Sequence, residues 1–305
     1  MNKLAIVVPY FKIDYFEECI KSLANQSDKR FSVYIGNDLS PDDPFPIIEK
    51  YLSPNQYFYF DYEENLGGKN LAFQWLRILA EIKEPWFQIL GDDDSIALNF
   101  VEEFYKNLPA INSDCHVLKF NSVLDFVDEK EERFYTSYQT GYYDTYDLIL
   151  RKISGGLNSS LSEHVFRSER FNEVGFEIYP LAWHTDDFLI VRMSGLGKTY
   201  FVSKSNVVVR VFGNSTSGSE KNFDQKSTAT KQFLKDFAQF IIKNKRSFWE
   251  KRKFLIAIRK YKSEVGLSYI SEIYFLFGWL GTVYFQIYLI GLNLKRKLVL
   301  SEGKI

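Results

Sequence analysis

The sequence predicts an α/β domain on a mostly parallel central sheet, followed by a helical C-terminal region. Three observations carry this expectation. Short β-branched runs alternate with amphipathic helical stretches over the first 120 residues. Polar clusters follow three of those runs, at Asn37-Asp38, Glu63-Glu64-Asn65 and Asp92-Asp93-Asp94, and open α/β sheets bind ligands outside the carboxyl ends of their strands. The charge also divides. Residues 1–215 hold 21 Lys and Arg against 32 Asp and Glu, whereas 216–305 hold 17 against 7, so a balance of −11 is followed by +10.

"LAIVVPY" (4–10) reads as a buried strand ended by Pro9. In "DYFEECIKSLAN" (14–25), Phe16, Cys19, Ile20 and Leu23 share one helical face, with Asp14 as the candidate N-cap. "FSVYIGND" (31–38) is a second strand, a helix follows near 44–52, and "YFYFDY" (57–62) is a third strand. Residues 67–83 read as a helix opened by two glycines, and "WFQIL" (86–90) as a fourth strand. A helix over 97–107 and a strand over 115–120 complete the alternation. Residues 135–150 are Tyr-rich and irregular. A glycine turn and a short strand are expected in 154–171, a helix in 179–197 and strands in 199–212. The loop "GNSTSGS" (213–219) is the expected boundary between a domain at 1–215 and a region at 216–305.

With 305 residues, 46% of them hydrophobic, the chain can bury a large core. Cys19 and Cys115 stand in unrelated contexts, which argues against a disulfide framework and for a reducing cytosol. No Cys/His spacing fits zinc, and the short N-terminal apolar run has strand length rather than that of a secretory signal.

The triplet Asp92-Asp93-Asp94 places three like charges side by side after a strand. One reading is a solvated turn capping the next helix. The other is a site for a hard divalent cation, Mg²⁺ or Mn²⁺, which takes one or two carboxylates together with substrate phosphates. A second pair, Asp186-Asp187 in "WHTDD", suits either a helix N-terminus or a general base. His184 is a candidate for tuning Asp186, while His116 and His164 read as structural.

These elements, in this order, resemble the inverting, nucleotide-sugar-dependent glycosyltransferases of family 2, which have the GT-A fold. Val8-Pro9-Tyr10 matches the family's first strand end, and Ser22 with Gln26 its first helix. "NDLSPDD" matches the family's Asp-Asp-Gly-Ser-x-Asp in Asp38, Ser40 and Asp42, with Asn37 and Leu39 departing from it. Asn65, Gly67 and Asn70 match its Asn-x-Gly with a following Asn, "GDDDS" its metal segment, and Asp186-Asp187 its downstream acidic pair. The resemblance covers about residues 3–215. It implies that Tyr10 lies along a nucleobase whose edge bonds Asp38, and that Asn65, Gly67, Lys69 and Asn70 line the nucleotide pocket. Asp92 and Asp93 would meet the ribose and Asp94, then Asp93, the metal. Asp187, with Asp186 behind it, would be the base. Residues 155–160 would border the acceptor. "VVRVFGNSTSG" lacks the His that many relatives carry there, which leaves Arg210 as the cation for the diphosphate. The implied reaction is transfer of a sugar, from a UDP-sugar first of all, to a glycan or lipid-linked acceptor in polysaccharide assembly. Two alternatives stand beside it: a nucleotidyl- or phospho-transferase on a similar sheet, and a nucleotide-sugar-binding module without catalysis.

In the C-terminal region, residues 243–262 carry nine basic side chains and one acid among aromatic and aliphatic ones. Residues 273–292 then run without charge, and Lys295, Arg296 and Lys297 follow. Three readings fit: an interfacial helix on anionic lipid, a membrane span, and a soluble bundle. Peripheral attachment at the inner face of the cell membrane is the leading expectation. Nucleic acid is set aside as a partner, because no nucleic-acid-binding signature accompanies the basic residues.

Overall fold

The computed structural model describes residues 2–127, 134–135, 138–212 and 222–302. The boundary expected at 213–219 lies outside them. In chain order the strands are β1 (Leu4–Tyr10), β2 (Phe31–Asn37), β3 (Tyr57–Asp61), β4 (Trp86–Ile89), β5 (Ser95–Ile96), β6 (Val117–Phe126), β7 (Phe134–Tyr135), β8 (Gly141–Asp144), β9 (His164–Arg167) and β10 (Lys198–Val211). The α-helices are α1 (Phe16–Ala24), α2 (Phe45–Tyr51), α3 (Leu71–Leu79), α4 (Phe100–Asn107), α5 (Thr145–Ser154), α6 (Ser168–Val174), α7 (Thr185–Ser194), α8 (Phe223–Lys243), α9 (Phe248–Ala257), α10 (Lys262–Val265), α11 (Leu267–Phe275) and α12 (Gly278–Glu302).

All described strands join one sheet in the order β3-β2-β1-β4-β9-β6-β10-β5, with β7 on β6 and β8 on β10. Strands β3, β2, β1, β4, β6 and β10 point the same way, while β9, β5, β7 and β8 oppose them. The expected α/β class with a mostly parallel sheet therefore holds. The sequence did not reveal that β9 inserts between β4 and β6.

Period-2 alternation sends β1 into both layers. Ala5 and Val7 pack with α3, α5 and α7, while Leu4, Ile6, Val8 and Tyr10 pack with α1, α2 and α4. A strand buried on both faces needs the continuous apolar run seen there.

Local expectations shift in four places. Helix α1 begins at Phe16 after Tyr15 without a side-chain cap, so Asp14 does not cap it; Glu17 and Glu18 complement the helix dipole instead. Helix α3 begins only at Leu71, because Asn70 takes the N-cap and accepts from the Ala72 amide at 3.0 Å. The two glycines serve close approach rather than helix opening. A Cβ on Gly67 would collide with Asp38, and one on Gly68 would lie 2.6 Å from Asn65 Oδ1. Within the Tyr-rich segment, residues 141–150 form β8 and the start of α5, a helix capped by Asp144 and stopped by Gly155 at φ 79°. Residues 198–211 form one long strand with a register shift between Val202 and Asn206.

The basic-aromatic segment is not a free amphipathic helix. Phe254, Leu255 and Ile258 are fully buried, in one core with Phe233 and Phe237 of α8 and with α5 and α7. At about 1.5–3 kcal/mol for each such side chain, withdrawing them into lipid offers no gain. The uncharged run 273–292 breaks at Gly278, whose φ is 63°, between α11 and α12. Among the described residues no helix is long and apolar enough to cross a membrane, so the spanning reading is overturned.

Candidate active site

Strands β1, β2 and β4 end side by side, and over their ends lies a cleft of about 470 Å³. Pro9, Tyr10 and Asp38 border it from β1 and the turn after β2. Asp92, Asp93 and Asp94 enter after β4, Asp186 and Asp187 from the first turn of α7, and Arg210 from β10. Folding thus brings together acidic groups that are far apart in the chain.

Tyr10 borders the cleft, but its ring is fully buried against Phe16, with centroids 4.4 Å apart, and its hydroxyl donates to the Asp42 carbonyl at 3.0 Å. Asp38 faces inward to its own loop. It accepts the Leu66 and Gly67 amides, each at 2.8 Å, and pairs with Arg77. Burial nevertheless holds its carboxyl above the usual range. Asn65, Gly67, Lys69 and Asn70 stand behind Asp38 rather than along the cleft wall. Asn65 accepts from the Gly68 amide, Lys69 pairs with Glu64 at the surface, and Asn70 donates to the Tyr179 carbonyl at 2.8 Å. Leu39, which replaces the family's glycine, sits at φ 57°, the left-handed region that glycine adopts without strain.

The three aspartates are held differently. Asp92 accepts the Phe11 and Lys12 amides, each at 2.8 Å. Asp94 accepts from the Ser162 hydroxyl and from the Arg210 amide at 2.9 Å. Among the described residues no side chain or other residue's amide donates a hydrogen bond to the Asp93 carboxylate. Burial, then the Asp93 charge, pushes Asp92 up to about 7 and Asp94 up to about 8. The Arg210 guanidinium is engaged with Glu18 and with the Asp93 carbonyl at 2.7 Å. Among the described residues no group of three or more His, Cys, Asp or Glu is arranged to hold a metal unaided.

Across the cleft, Asp187 is clamped. Its Oδ1 pairs with Lys152, and its Oδ2 lies 2.8 Å from His184 Nδ1. Burial acts against its charge, but Lys152 and His184 outweigh burial and bring it down to about 2. Asp186 is more open and lies 3.6 Å from Lys152 Nζ. Burial raises its carboxyl, with Lys152 acting against the shift. Leu181, Ala182 and His184, all on this wall, have φ between 54° and 65°, a concentration of backbone strain beside the pair.

Sequence reasoning missed Lys152, Ser162 and Arg77. Lys152 looks like an ordinary last-turn lysine of α5 and becomes the counter-ion of both downstream aspartates. The segment 159–162 borders the cleft and is pinned from behind, where Lys119 Nζ donates to Ser159 Oγ at 3.0 Å and to Glu163 at 2.6 Å.

No curated protein matches this chain by sequence. Solved structures share its fold. S. aureus TarS 1-349 in complex with UDP-GlcNAc has a TM-score of 0.70 at 14% identity, over 90% of this chain and 81% of that one. TarS 1-349 alone gives 0.63 at 17% identity, over 86% and 72%. The longer S. aureus TarS structure gives 0.57 at 14% identity, with 90% of this chain spanning 52% of that one. The family model described as Glycosyl transferase family 2 matches residues 5–159, just over half of the sequence. That segment contains β1 to β4, the Asp38 turn and the aspartate triplet, and on that match the chain belongs to glycosyl transferase family 2.

Proposed function

We propose that this glycosyltransferase moves a sugar from a UDP-sugar to a hydroxyl of a glycan or lipid-linked acceptor by a single inverting displacement. The observation that carries the reading is the facing of the Asp92–Asp94 triplet and the Asp186–Asp187 pair across one cleft. The UDP-GlcNAc bound by TarS, which has the same fold, supports the choice of donor.

Asp186 is the base in this reading. Asp187, ranked first from sequence, has both oxygens engaged and is held too acidic to accept a proton readily, whereas Asp186 is raised and opens on the cleft. Asp186 takes the acceptor hydroxyl's proton while Asp187 fixes Lys152 beside it. Arg210 and Lys12 offset charge on the donor side, where both border the cleft. A divalent cation suits the triplet: the Asp93 carboxylate is open to a ligand, Asp94 adjoins it, and the repelling charges favour a cation shared with the diphosphate. Such a cation would supply Lewis-acid neutralisation of the leaving diphosphate.

The C-terminal region is assigned to an anionic membrane surface. Trp279, Val283, Ile287, Ile290 and Leu294 are exposed at helical spacing on α12, with Trp249 exposed on α9. Arg252 stacks on both Trp249 and Tyr284, linking the two helices with a positive charge. This pattern suits a helix lying in the lipid interface at the cytoplasmic face.

Thermal-shift measurement with UDP, GDP, CDP and ATP, with and without Mn²⁺, tests the donor; stabilisation by UDP with metal is expected, and no shift with any nucleotide refutes the reading. Asp186→Asn should lower kcat about 10²–10⁴-fold with UDP binding intact. Retained turnover would move the base elsewhere.

A further inference from the structure

A buried hydrogen-bonded chain runs from the acidic pair into the C-terminal helices. His184 Nδ1 lies 2.8 Å from Asp187 Oδ2, and His184 Nε2 lies 3.1 Å from Thr230 Oγ1 on α8. The Thr230 hydroxyl in turn donates to Glu264 on α10. Thr230 is fully buried, and His184 stacks on Phe233 with centroids 4.6 Å apart, so water does not stand in for these partners.

The proton inventory along this chain is restrictive. A hydroxyl has one proton, and a carboxylate only accepts. Thr230 spends its proton on Glu264, so its oxygen can only accept from His184 Nε2. Asp187 can only accept from Nδ1. Both ring nitrogens must therefore carry hydrogen.

We propose that Thr230 and Glu264 are positioning residues that hold His184 as a two-donor imidazolium on Asp187, so that the C-terminal helices complete the catalytic wall. The proposal rests on the assignment of the Asp186–Asp187 pair to the proton-accepting role. Neither residue lies in the segment matched to the family. The charged and titratable groups around His184 are Asp186 and Asp187 on its own helix, Lys152 from α5, Lys226 from α8, Tyr261 in the turn after α9, and Glu264 from α10. With the imidazolium on Asp187, Lys152 remains available to both aspartates and keeps Asp186 ionised. Without it, Asp187 draws more fully on Lys152 and Asp186 binds its proton more tightly.

The direct test is ¹⁵N NMR of the full chain labelled at histidine. It has only three, His116, His164 and His184, and a His184→Gln variant assigns the signal. At pH 7.5 the wild type should give two protonated ring nitrogens for His184, whereas Thr230→Val and Glu264→Met should give a neutral ring. In steady-state kinetics Thr230→Val should move the acidic limb of the kcat profile up by about one pH unit. Below that limb it should lower kcat about tenfold with the donor KM unchanged, and Thr230→Ser should restore both. A neutral His184 ring in the wild type overturns the proposal, as does an imidazolium that survives both substitutions. Equal impairment of the Val and Ser variants would reduce Thr230 to packing. If Asp186→Asn retains turnover while the imidazolium is present, the base assignment fails and the histidine assignment stands. If the ring is neutral and Asp186 is essential, the histidine assignment fails and the base assignment stands.

Discussion

Lys152→Met is the most informative perturbation of stability. Lys152 Nζ pairs with Asp187 and lies 3.6 Å from Asp186, with the lysine side chain 22% exposed and that of Asp187 5%. The substitution keeps the stem's volume and removes the charge. Asp187 is held from its usual 3.8 down to about 2, which corresponds to about 2 kcal/mol of stability, most of it through Lys152. Removing one partner of a buried pair costs about 3–5 kcal/mol, so a loss of about 2–4 kcal/mol at pH 7 is expected. The pH dependence has a definite sign. A carboxyl depressed in the folded state contributes fully above its unfolded pKa, here 3.8, and the contribution is lost as pH falls through about 2. About half of it remains at pH 3. Urea unfolding of both proteins at pH 7 and pH 3, followed by circular dichroism, should show the gap between them narrowing by about 1 kcal/mol. A gap that is absent at pH 7, or equal at the two pH values, would refute this account of the clamp.

Further outcomes follow from other parts of the molecule. Burial and repulsion raise Asp92 and Asp94 to about 7 and 8, so cation binding at the triplet should expel protons near neutral pH. Calorimetry of Mn²⁺ with UDP should give an enthalpy that varies with the buffer's ionisation heat, and Asp93→Asn should weaken the metal-linked part of UDP binding at least tenfold. Leu39→Gly should stabilise the chain by about 0.5–1 kcal/mol, because relief of left-handed strain exceeds the entropy that glycine adds to the unfolded chain; a lower Tm would contradict that. Ile287→Glu with Trp279→Glu should abolish flotation with anionic liposomes and leave the Tm within a few degrees, since both side chains are exposed; undiminished flotation removes α12 from the lipid contact.

Much of the fold was legible because its signals are local. The β-branched runs at 4–10, 31–37 and 57–61 and the amphipathic faces of α1 and α4 carry their periodicity within a few residues. The strand ends at Asp38 and at Asp92 to Asp94 could be read as a shared rim because a parallel sheet brings its carboxyl ends together, whereas the Glu63-Glu64-Asn65 cluster expected beside them stands off the cleft wall. The Gly67-Gly68 pair was misread because its reason, close approach to Asp38 and Asn65, lies across the loop rather than along a helix. Strand β9 escaped a fixed placement because only its neighbours β4 and β6 supply its hydrogen bonds.

By itself the sequence determined the α/β alternation, the three acidic strand ends and the charge contrast between the two parts of the chain. All of these are properties of residue type and short-range spacing. Tertiary structure alone decided which aspartate is clamped and which is open, because Lys152 reaches Asp187 from α5, His184 from the start of α7, and Thr230 of α8 holds His184 from behind. It also decided that the apolar side of the basic segment faces the core and that the exposed stripe belongs to α12. An amphipathic stretch states that it needs an apolar partner, and only packing selects which surface provides one.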